Sequence, residues 1–422
     1  MSSILKKILL VGTFFVLLSA NAQDKATLDL LVSKGLISRQ EADELSKKAT
    51  VVDAKQSTTK SVKLSGRIQV QYQNIHTSET VGGVSRNLNT TNNFLLRRVF
   101  LGMEADLESG WSAKIVTDLC RSSEGYNYLD VAHLSKKLQY DILNGTVDIG
   151  YKKIAFNIEE TISNSKLFTP ERSLATRFFS EGNNGRRLGI GGRHTGVFWQ
   201  GKIQEFDGLK YGFSITNSYN NYPASAPEYA KEGLLYAGNV AYEKKFENKS
   251  SFEVGLNFAY TNATNTAGTK GNVNGDIIAF NPYLKARYDN FSLWTEVLTA
   301  RMSNAVNNYT DSSTPVGVNV GLEYRFDIGE LGQVAPTLRY SWLDTDGRGI
   351  KASDGIRNAD SNGATFDWGQ SIYIGFKWHI IGDDLKFQMG YEWGQLEDSP
   401  TDSMQSQRST SNAVRAQMQI LF

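Results

Sequence analysis

Apolar and polar residues alternate along most of the chain. In the last twelve residues, every second position from Val414 to Phe422 is apolar, while Arg415, Gln417 and Gln419 lie between them. A period of two predicts a β-strand with one apolar and one polar face. The same alternation recurs in segments 316–327 and 385–393. The chain is therefore expected to be all-β.

Sixteen such segments follow one another from residue 62 onward. Short turns such as Asp289-Asn290 alternate with long polar loops at 75–93, 155–185, 263–275 and 345–366. An antiparallel up-and-down barrel with an even number of strands produces this alternation of loop lengths, whereas a soluble β-sandwich does not. The strands are predicted near 62–74, 94–106, 110–120, 127–138, 145–154, 186–202, 208–219, 234–246, 250–262, 276–288, 291–303, 316–327, 332–344, 367–379, 383–396 and 411–422.

Composition supports a membrane barrel. The chain has 38 Gly, 7 Pro, 7 Trp, 19 Tyr and 21 Phe, and many apolar files end in an aromatic residue, as an interfacial girdle requires. After residue 22 no apolar run approaches the ~20 residues that a membrane helix needs, so any span must consist of strands. The prediction is a transmembrane 16-stranded antiparallel up-and-down β-barrel.

The first 61 residues are interpreted separately. Lys6 and Lys7, the apolar stretch 8–18 and the A-x-A site at 20–22 are typical of a signal peptide over residues 1–22. Residues 23–61 are interpreted as a short periplasmic helical segment and linker, with Ser38 and Glu41 in a capping box. The barrel is assigned to residues 62–422, and the expected location is the bacterial outer membrane.

The apolar file of each strand is expected to face lipid. With the faces of strand 316–327 reversed, Arg325 would meet lipid at a cost of roughly 2–4 kcal/mol at mid-depth. A polar interior in a barrel this wide predicts a water-filled pore, because side chains fill the interior only near eight strands. By parity, the lumen-facing cations are Arg67, Arg98, Lys114, Arg187, Arg193, Lys285, Arg287, Arg325, Arg339, Lys377 and Lys386.

Acids are predicted to face the lumen as well. Glu104, Asp118, Glu253, Glu323 and Glu392 have the inward parity. Acids and bases that face each other across a wide pore are typical of general diffusion channels, so we expect a mild anion preference at most. The formal net charge of +1 does not indicate the sign of any partner.

Three motifs stand out along the chain, FLLRRVFLG at 94–102, ERSLA at 171–175 and GRRLG at 185–189. With them the chain resembles the phosphate-selective porins O and P, and the resemblance runs from the N-terminal helical segment to the closing strand. It implies a 16-stranded barrel, usually a homotrimer, whose long third loop folds inward and constricts the pore. In outer-membrane barrels the terminal aromatic strand, here ending in Phe422, is recognised by the barrel assembly machinery.

On this resemblance the third loop is about 155–185. Guanidinium groups bind phosphate through two hydrogen bonds and Lys acts as a point charge, so cations here would suit an anion constriction. Each one could instead be a solvated charge or a partner of a nearby acid, such as Glu171 for Arg172. The candidate constriction residues are Lys166, Arg172, Arg177, Arg186 and Arg187.

Sequence motifs give little support to other functions. The four histidines have no metal-ligand spacing, and no nucleophile elbow or phosphate-binding loop is present. We therefore expect no enzymatic activity, metal, cofactor or nucleic-acid partner. The predicted function is passive diffusion of small hydrophilic solutes, with anions or phosphate preferred, across the outer-membrane lipid. The alternatives are a barrel that serves mainly as a surface receptor or adhesin, and a sugar-uptake porin.

Overall fold

The computed structural model describes most of the barrel and little of the N-terminal segment. The described residues are 32–34, 38–40, 59–120, 128–139, 143–183, 187–217, 234–247, 249–261, 276–303, 312–398 and 407–422. The predicted signal peptide and most of the predicted helical segment lie outside these residues. Within them, no helix is both long and apolar enough to cross a membrane.

Sixteen antiparallel strands form a closed barrel. Each strand pairs with its neighbours in the chain, and the last strand pairs with the first from Arg67↔Leu421 to Thr80↔Arg408. In chain order the barrel strands β1 to β16 are Thr59–Val81, Thr91–Leu107, Trp111–Asp118, Leu129–Gln139, Leu143–Lys153, Arg193–Ile203, Leu209–Asn217, Leu234–Lys245, Ser251–Thr261, Ile277–Tyr288, Phe291–Met302, Val316–Tyr324, Gln333–Asp344, Trp368–Ile381, Leu385–Glu397 and Arg408–Leu421. The predicted fold is confirmed.

The remaining elements are short. Val84–Asn87 pairs with the end of β1, and Phe326–Asp327 continues β12 beside β13. Gly182–Asn183 and Arg187–Leu188 form a two-residue hairpin inside a long loop. Two 3₁₀ turns cover Glu108–Gly110 and Gly329–Leu331. Among the described residues from 59 onward, the α-helices are α1 (Ile158–Thr161), α2 (Leu174–Ser180) and α3 (Ala352–Gly355).

Several predicted strand boundaries were wrong. Much of the expected loop 75–93 is strand, because residues 75–80 continue to pair with β16 and residues 78–81 also pair with Val84–Asn87. The strand expected at 186–202 begins at Arg193, since Arg187 belongs to the hairpin in the loop. The last strand begins at Arg408 rather than 411. The polar residues at these places are compatible both with a loop and with a strand that extends beyond the lipid bilayer.

Part of the outer half of the lumen, along β8 to β11 and β13, is apolar, which contradicts the expectation of a polar interior throughout. Leu235 and Ala237 on β8 are fully buried, while their neighbours Leu234 and Tyr236 are exposed on the lipid side. At Leu234-Leu235 both faces of the strand are apolar, so the alternation cannot distinguish inside from outside. The inward side chains of this cluster pack against loop residues in the lumen; they include Leu235, Ala237, Ile277, Leu298, Met302 and Leu343, and the loop contributes Phe156, Phe178, Phe179 and Phe366.

Gly201 on β6 packs so closely against β5 that a larger residue has no room there. A Cβ atom there would lie 2.0 Å from the backbone oxygen of Asn144 and 2.8 Å from the Cα of Gly145. Because neither atom can move without distorting β5, Gly201→Ala is expected to cost about 1–3 kcal/mol. The measurement is the temperature at which the barrel loses its SDS-resistant mobility. In the control Gly255→Ala the new methyl meets only the tip of the Tyr283 side chain, and equal effects of the two changes would contradict this prediction.

Candidate functional site: a constriction built from two loops

Residues 154–192, which connect β5 to β6, fold into the lumen and are called the constriction loop. Their two helices are capped by side chains: Asn157 accepts from the Glu160 N–H at 3.1 Å and Ser173 from the Thr176 N–H at 3.3 Å. The caps satisfy N–H groups that would otherwise be buried without partners. Asn157 has a φ of 66°, a backbone region that Asn tolerates. The local sequence therefore supports short helices inside a barrel.

The constriction loop contacts the wall on the far side of the lumen from β5 and β6. The Arg339 guanidinium on β13 donates to the Thr169 hydroxyl at 2.6 Å, and Gln388 on β15 donates to the Leu167 carbonyl at 3.2 Å. On β11, the buried carboxylate of Glu296 accepts from the Ile158 N–H at 2.8 Å. The loop therefore crosses the lumen rather than folding back over its own strands.

Glu171 joins the constriction loop to β2. Its carboxylate accepts from the Arg97 guanidinium, with 2.8 Å between Nη2 and Oε2, and also contacts Arg98 at 3.8 Å and Arg357 at 3.1 Å. Burial acts to raise the pKa of the Glu171 carboxyl, but the surrounding guanidinium groups outweigh it and hold the pKa well below its usual range. Glu171 is therefore ionised at neutral pH.

A second loop, residues 345–367 between β13 and β14, also folds into the lumen and is called the latch loop. Arg187 of the constriction loop donates to Oδ1 of Asp354 through Nε at 3.0 Å and Nη2 at 2.7 Å, and to Glu181 at 2.6 Å. Arg177 donates to the carbonyls of Ser353 and Asp354 at 3.0 and 2.8 Å. The two loops are thus joined by buried charged hydrogen bonds, which are stronger than neutral ones.

The predicted constriction cations differ in burial and in their partners. Arg172 is buried and pairs with Glu160 at 2.6 Å, not with its neighbour Glu171. Arg177 and Arg187 join the two loops, as described above. Arg186 lies outside the described residues. Lys166 is exposed, and among the loop residues of described burial (154–181 and 187–192) it shares this exposure only with Thr161 and Ser163.

Most predicted lumen cations are neutralised by a partner close by. An acid within an ion-pair distance contacts each of Arg98, Lys114, Arg193, Lys285, Arg325, Arg339, Lys377 and Lys386. Arg287 donates to the carbonyl of Asp289 in a turn at 3.1 Å. These pairs are formed with neighbouring strands and loops, which differs from the expected arrangement of acids and bases facing each other across open water.

In the part of the chain that the structure describes, Arg67 on β1 shares with Arg287 the lack of an ion pair with an acid, but Arg67 also contacts the constriction loop. Among the described residues it forms no ion pair with an acid; it lies 4.9 Å from the Phe100 ring and donates weakly to the Ser163 hydroxyl at 3.4 Å. Ser163 is one of the three exposed residues of the constriction loop. Arg67 and Lys166 therefore flank the exposed part of this loop from the wall and from the loop itself.

Sequence reasoning missed several residues of this site. Arg97 has the outward parity, yet it is buried and contacts Glu171 together with Arg98. A pair of consecutive arginines in a membrane strand was the available signal, since a lipid-facing Arg is costly. Arg357 and Asp354 lie in the latch loop, where no periodic pattern indicates an inward position.

A cavity of ≈ 900 Å³ lies at the short-turn end of the barrel, beside the constriction loop. Its lining includes Asp207 and the tyrosines Tyr211 and Tyr283. Five lysines also line it, namely Lys137, Lys153, Lys202, Lys210 and Lys285. Of these, Lys153 pairs with Glu160, and both Lys210 and Lys285 pair with Glu253.

Known structures with the same architecture are bacterial outer-membrane proteins. An anion-selective porin from Comamonas acidovorans aligns with a TM-score of 0.52 at 14% identity, covering 86% of this chain and 99% of that one. The outer membrane channel DcaP of Acinetobacter baumannii aligns with a TM-score of 0.50 at 14% identity, covering 86% and 97%. At these identities the likeness shows the fold alone. No match was found among curated protein sequences.

A family model decides the assignment, because the model for phosphate-selective porin O and P matches residues 62–422. The chain belongs to the phosphate-selective porin O and P family. This confirms the resemblance proposed from the sequence motifs. The protein is a channel of the bacterial outer membrane through which small solutes pass, and porins are channels rather than enzymes.

Proposed function

We propose that this porin passes small hydrophilic solutes by passive diffusion with a preference for anions, and that Lys166 and Arg67 are the cations that a solute meets at the constriction. The observation that carries the proposal is the contrast within the site. The buried arginines of the loops are bound to carboxylates, whereas Lys166 is exposed, and Arg67 forms no direct ion pair among the described residues and interacts with Asp130 only at longer range.

Paired and unpaired cations differ in the electric field that they produce in the pore. A cation paired with a carboxylate produces little field a few ångströms away, while an uncompensated cation attracts anions from the solution. Lys is a compact point charge and Arg a planar donor of several hydrogen bonds, so together they suit an oxyanion such as phosphate.

Assembly partners form a second part of the proposal. We assign the closing strand, ending in Phe422, as the signal for the barrel assembly machinery, and a homotrimer in outer-membrane lipid as the functional state. The C-terminal residue is also part of the seam of the barrel, since the Gly66 N–H donates to the Phe422 carbonyl at 2.6 Å. Residues 1–22 are proposed as the signal peptide and 23–61 as the periplasmic segment.

Lys166→Glu tests the proposed role of the exposed lysine. The change replaces a positive charge with a negative one at the constriction, so the chloride-to-potassium permeability ratio is expected to fall by roughly three- to tenfold at low salt. The measurement is the reversal potential of the purified protein in a planar bilayer under a potassium chloride gradient, with and without phosphate. Lys244→Glu is the matched control. Lys244 lies near the C-terminal end of β8, and its side chain is exposed on the face of the strand that points away from the lumen.

Three outcomes of this experiment differ in meaning. A permeability ratio that is unchanged in Lys166→Glu would contradict the assignment of the constriction, even if the channel conducts. A neutral ratio in the wild type would make the protein a general diffusion pore. No conductance at all would instead favour a surface receptor or adhesin.

A further inference from the structure

Three glutamines on β1, β15 and β16 hold the backbone of the constriction loop beside Lys166. Each donates from its side-chain NH2 group to a different loop carbonyl, and none of the three is more than 1% exposed. Lys386 on β15 also donates to the Ser165 carbonyl. The glutamines and their acceptors are Gln69 with Asn164 at 3.4 Å, Gln419 with Ser165 at 3.4 Å, and Gln388 with Leu167 at 3.2 Å.

Arg98 on β2 determines which way two of these amides point. Its guanidinium donates to Oε1 of Gln69 at 2.8 Å, and because Arg can only donate, the NH2 group of Gln69 is left for the loop. That NH2 group also donates to Oε1 of Gln419 at 2.6 Å. The NH2 group of Gln419 is therefore directed to the Ser165 carbonyl, and the hydrogen bonds run in one direction from the wall to the loop backbone.

The loop itself restricts the backbone of Lys166 as well. The Lys166 N–H donates to the Ser163 carbonyl at 2.8 Å and closes a turn. Two positions further on, the Phe168 ring lies 6.3 Å from the Trp294 ring and 4.7 Å from the ammonium of Lys377. The backbone of Lys166 is thus fixed on both sides, while its side chain remains exposed.

We propose that these three glutamines are positioning residues for Lys166 and thereby determine the ion selectivity of the pore. The inference rests on the proposed function, in which Lys166 is a cation that a solute meets at the constriction. The energy between two charges falls with their distance, so an ammonium on a loosened backbone spends time farther from the passage and attracts anions less. Because the amides are uncharged, replacing them by Leu changes no charge, and any change in selectivity comes through the groups that they hold.

The test measures the chloride-to-potassium permeability ratio of the full-length protein in a planar bilayer under a potassium chloride gradient. Gln388→Leu removes the shortest of the three glutamine contacts, and a second variant adds Gln69→Leu to it. The ratio is expected to fall about 1.5- to twofold in the double variant, because the lysine charge is displaced but not lost. Gln71→Leu is the matched control. Gln71 lies on the same face of β1 and is 1% exposed, and its side-chain amide has no hydrogen-bonding partner among the described residues.

The same variants are also measured in combination with Lys166→Gln. If the glutamines act through Lys166, their replacement no longer changes the ratio once the lysine charge is gone. Should the double variant lose its SDS-resistant mobility, Gln388→Leu alone decides.

Three results overturn the proposal while the assignment of Lys166 stands. In the first, the folded variants keep the wild-type ratio although Lys166→Gln lowers it. In the second, the ratio falls by the same factor with and without Lys166. In the third, Gln71→Leu lowers the ratio as much as the other variants. An unchanged ratio in Lys166→Gln would instead contradict the proposed function, and this inference with it.

Discussion

Glu171→Gln is expected to loosen the constriction loop without opening the barrel. The change removes the carboxylate that Arg97, Arg98 and Arg357 share, so two buried guanidinium groups and one partly buried one lose their common partner. Removing one member of a buried ion pair typically costs about 3–5 kcal/mol, because the remaining charge stays buried. Because the strands keep their own hydrogen bonds, the change is expected to weaken the attachment of the constriction loop to the wall, not the barrel itself.

Hydrogen exchange of the loop amides measures this effect. In the wild type the amides of α1 and α2 are hydrogen bonded inside the lumen, for example the Arg177 N–H to the Ser173 carbonyl at 3.0 Å. A loss of about 3 kcal/mol corresponds to roughly a hundredfold faster exchange, since each 1.4 kcal/mol is tenfold. Glu243→Gln is the control; Glu243 pairs with Lys210 in a more exposed position and should change exchange little. Equal exchange in Glu171→Gln and wild type would contradict the role given to Glu171.

The pH dependence of the same contact has a definite sign. The pKa of Glu171 is depressed in the folded state, so its contribution to stability is complete above the pKa of an unfolded Glu, about 4.3, and is lost as the pH falls through the folded pKa. As the pH falls through the folded pKa of Glu171, the hydrogen-exchange rates of the loop amides in the wild type should therefore approach those in Glu171→Gln. In Glu171→Gln this part of the pH dependence should be absent.

Asp354→Asn and Arg187→Gln are expected to separate the two loops and to enlarge the pore. Arg187 binds Asp354 through two hydrogen bonds, and this pair is one of the few direct links between the constriction loop and the latch loop. Each single change should raise the single-channel current in a planar bilayer. The double variant should show a smaller loss of protection in α2 than the sum of the single variants, with a coupling energy of about 1–3 kcal/mol.

Two other ion pairs help to interpret this double-mutant cycle. Arg325→Gln breaks a pair with Glu323 that lies on the wall and is partly exposed, so its effect should stay near or below about 1 kcal/mol. Glu181 accepts from Arg187 and Arg357 as well, and it remains able to hold Arg187 in Asp354→Asn. An unchanged current combined with strictly additive exchange effects would show that the two loops are independent of each other.

Much of the barrel could be predicted because its pattern has a local cause. In β12 and β15 apolar and polar residues alternate, and this alternation follows from lipid on one side of each strand and polar groups on the other. The strand number followed from the same pattern, together with the alternation of short and long connections. Where both faces of a strand are apolar, as at Leu234-Leu235, the alternation does not distinguish inside from outside, and the apolar part of the lumen wall was missed.

The sequence by itself determined the fold, the lipid-facing side of most strands and the membrane location. The third loop and its arginines were expected at the constriction only through the family resemblance, and the structure pairs Arg172, Arg177 and Arg187 with carboxylates. Only the tertiary structure decided which charges neutralise one another. Arg339 and Glu159 lie 180 positions apart along the chain, and Arg187 and Asp354 lie 167 positions apart. Pairing over such separations depends on how two loops fill a closed barrel, and no local periodicity encodes that geometry.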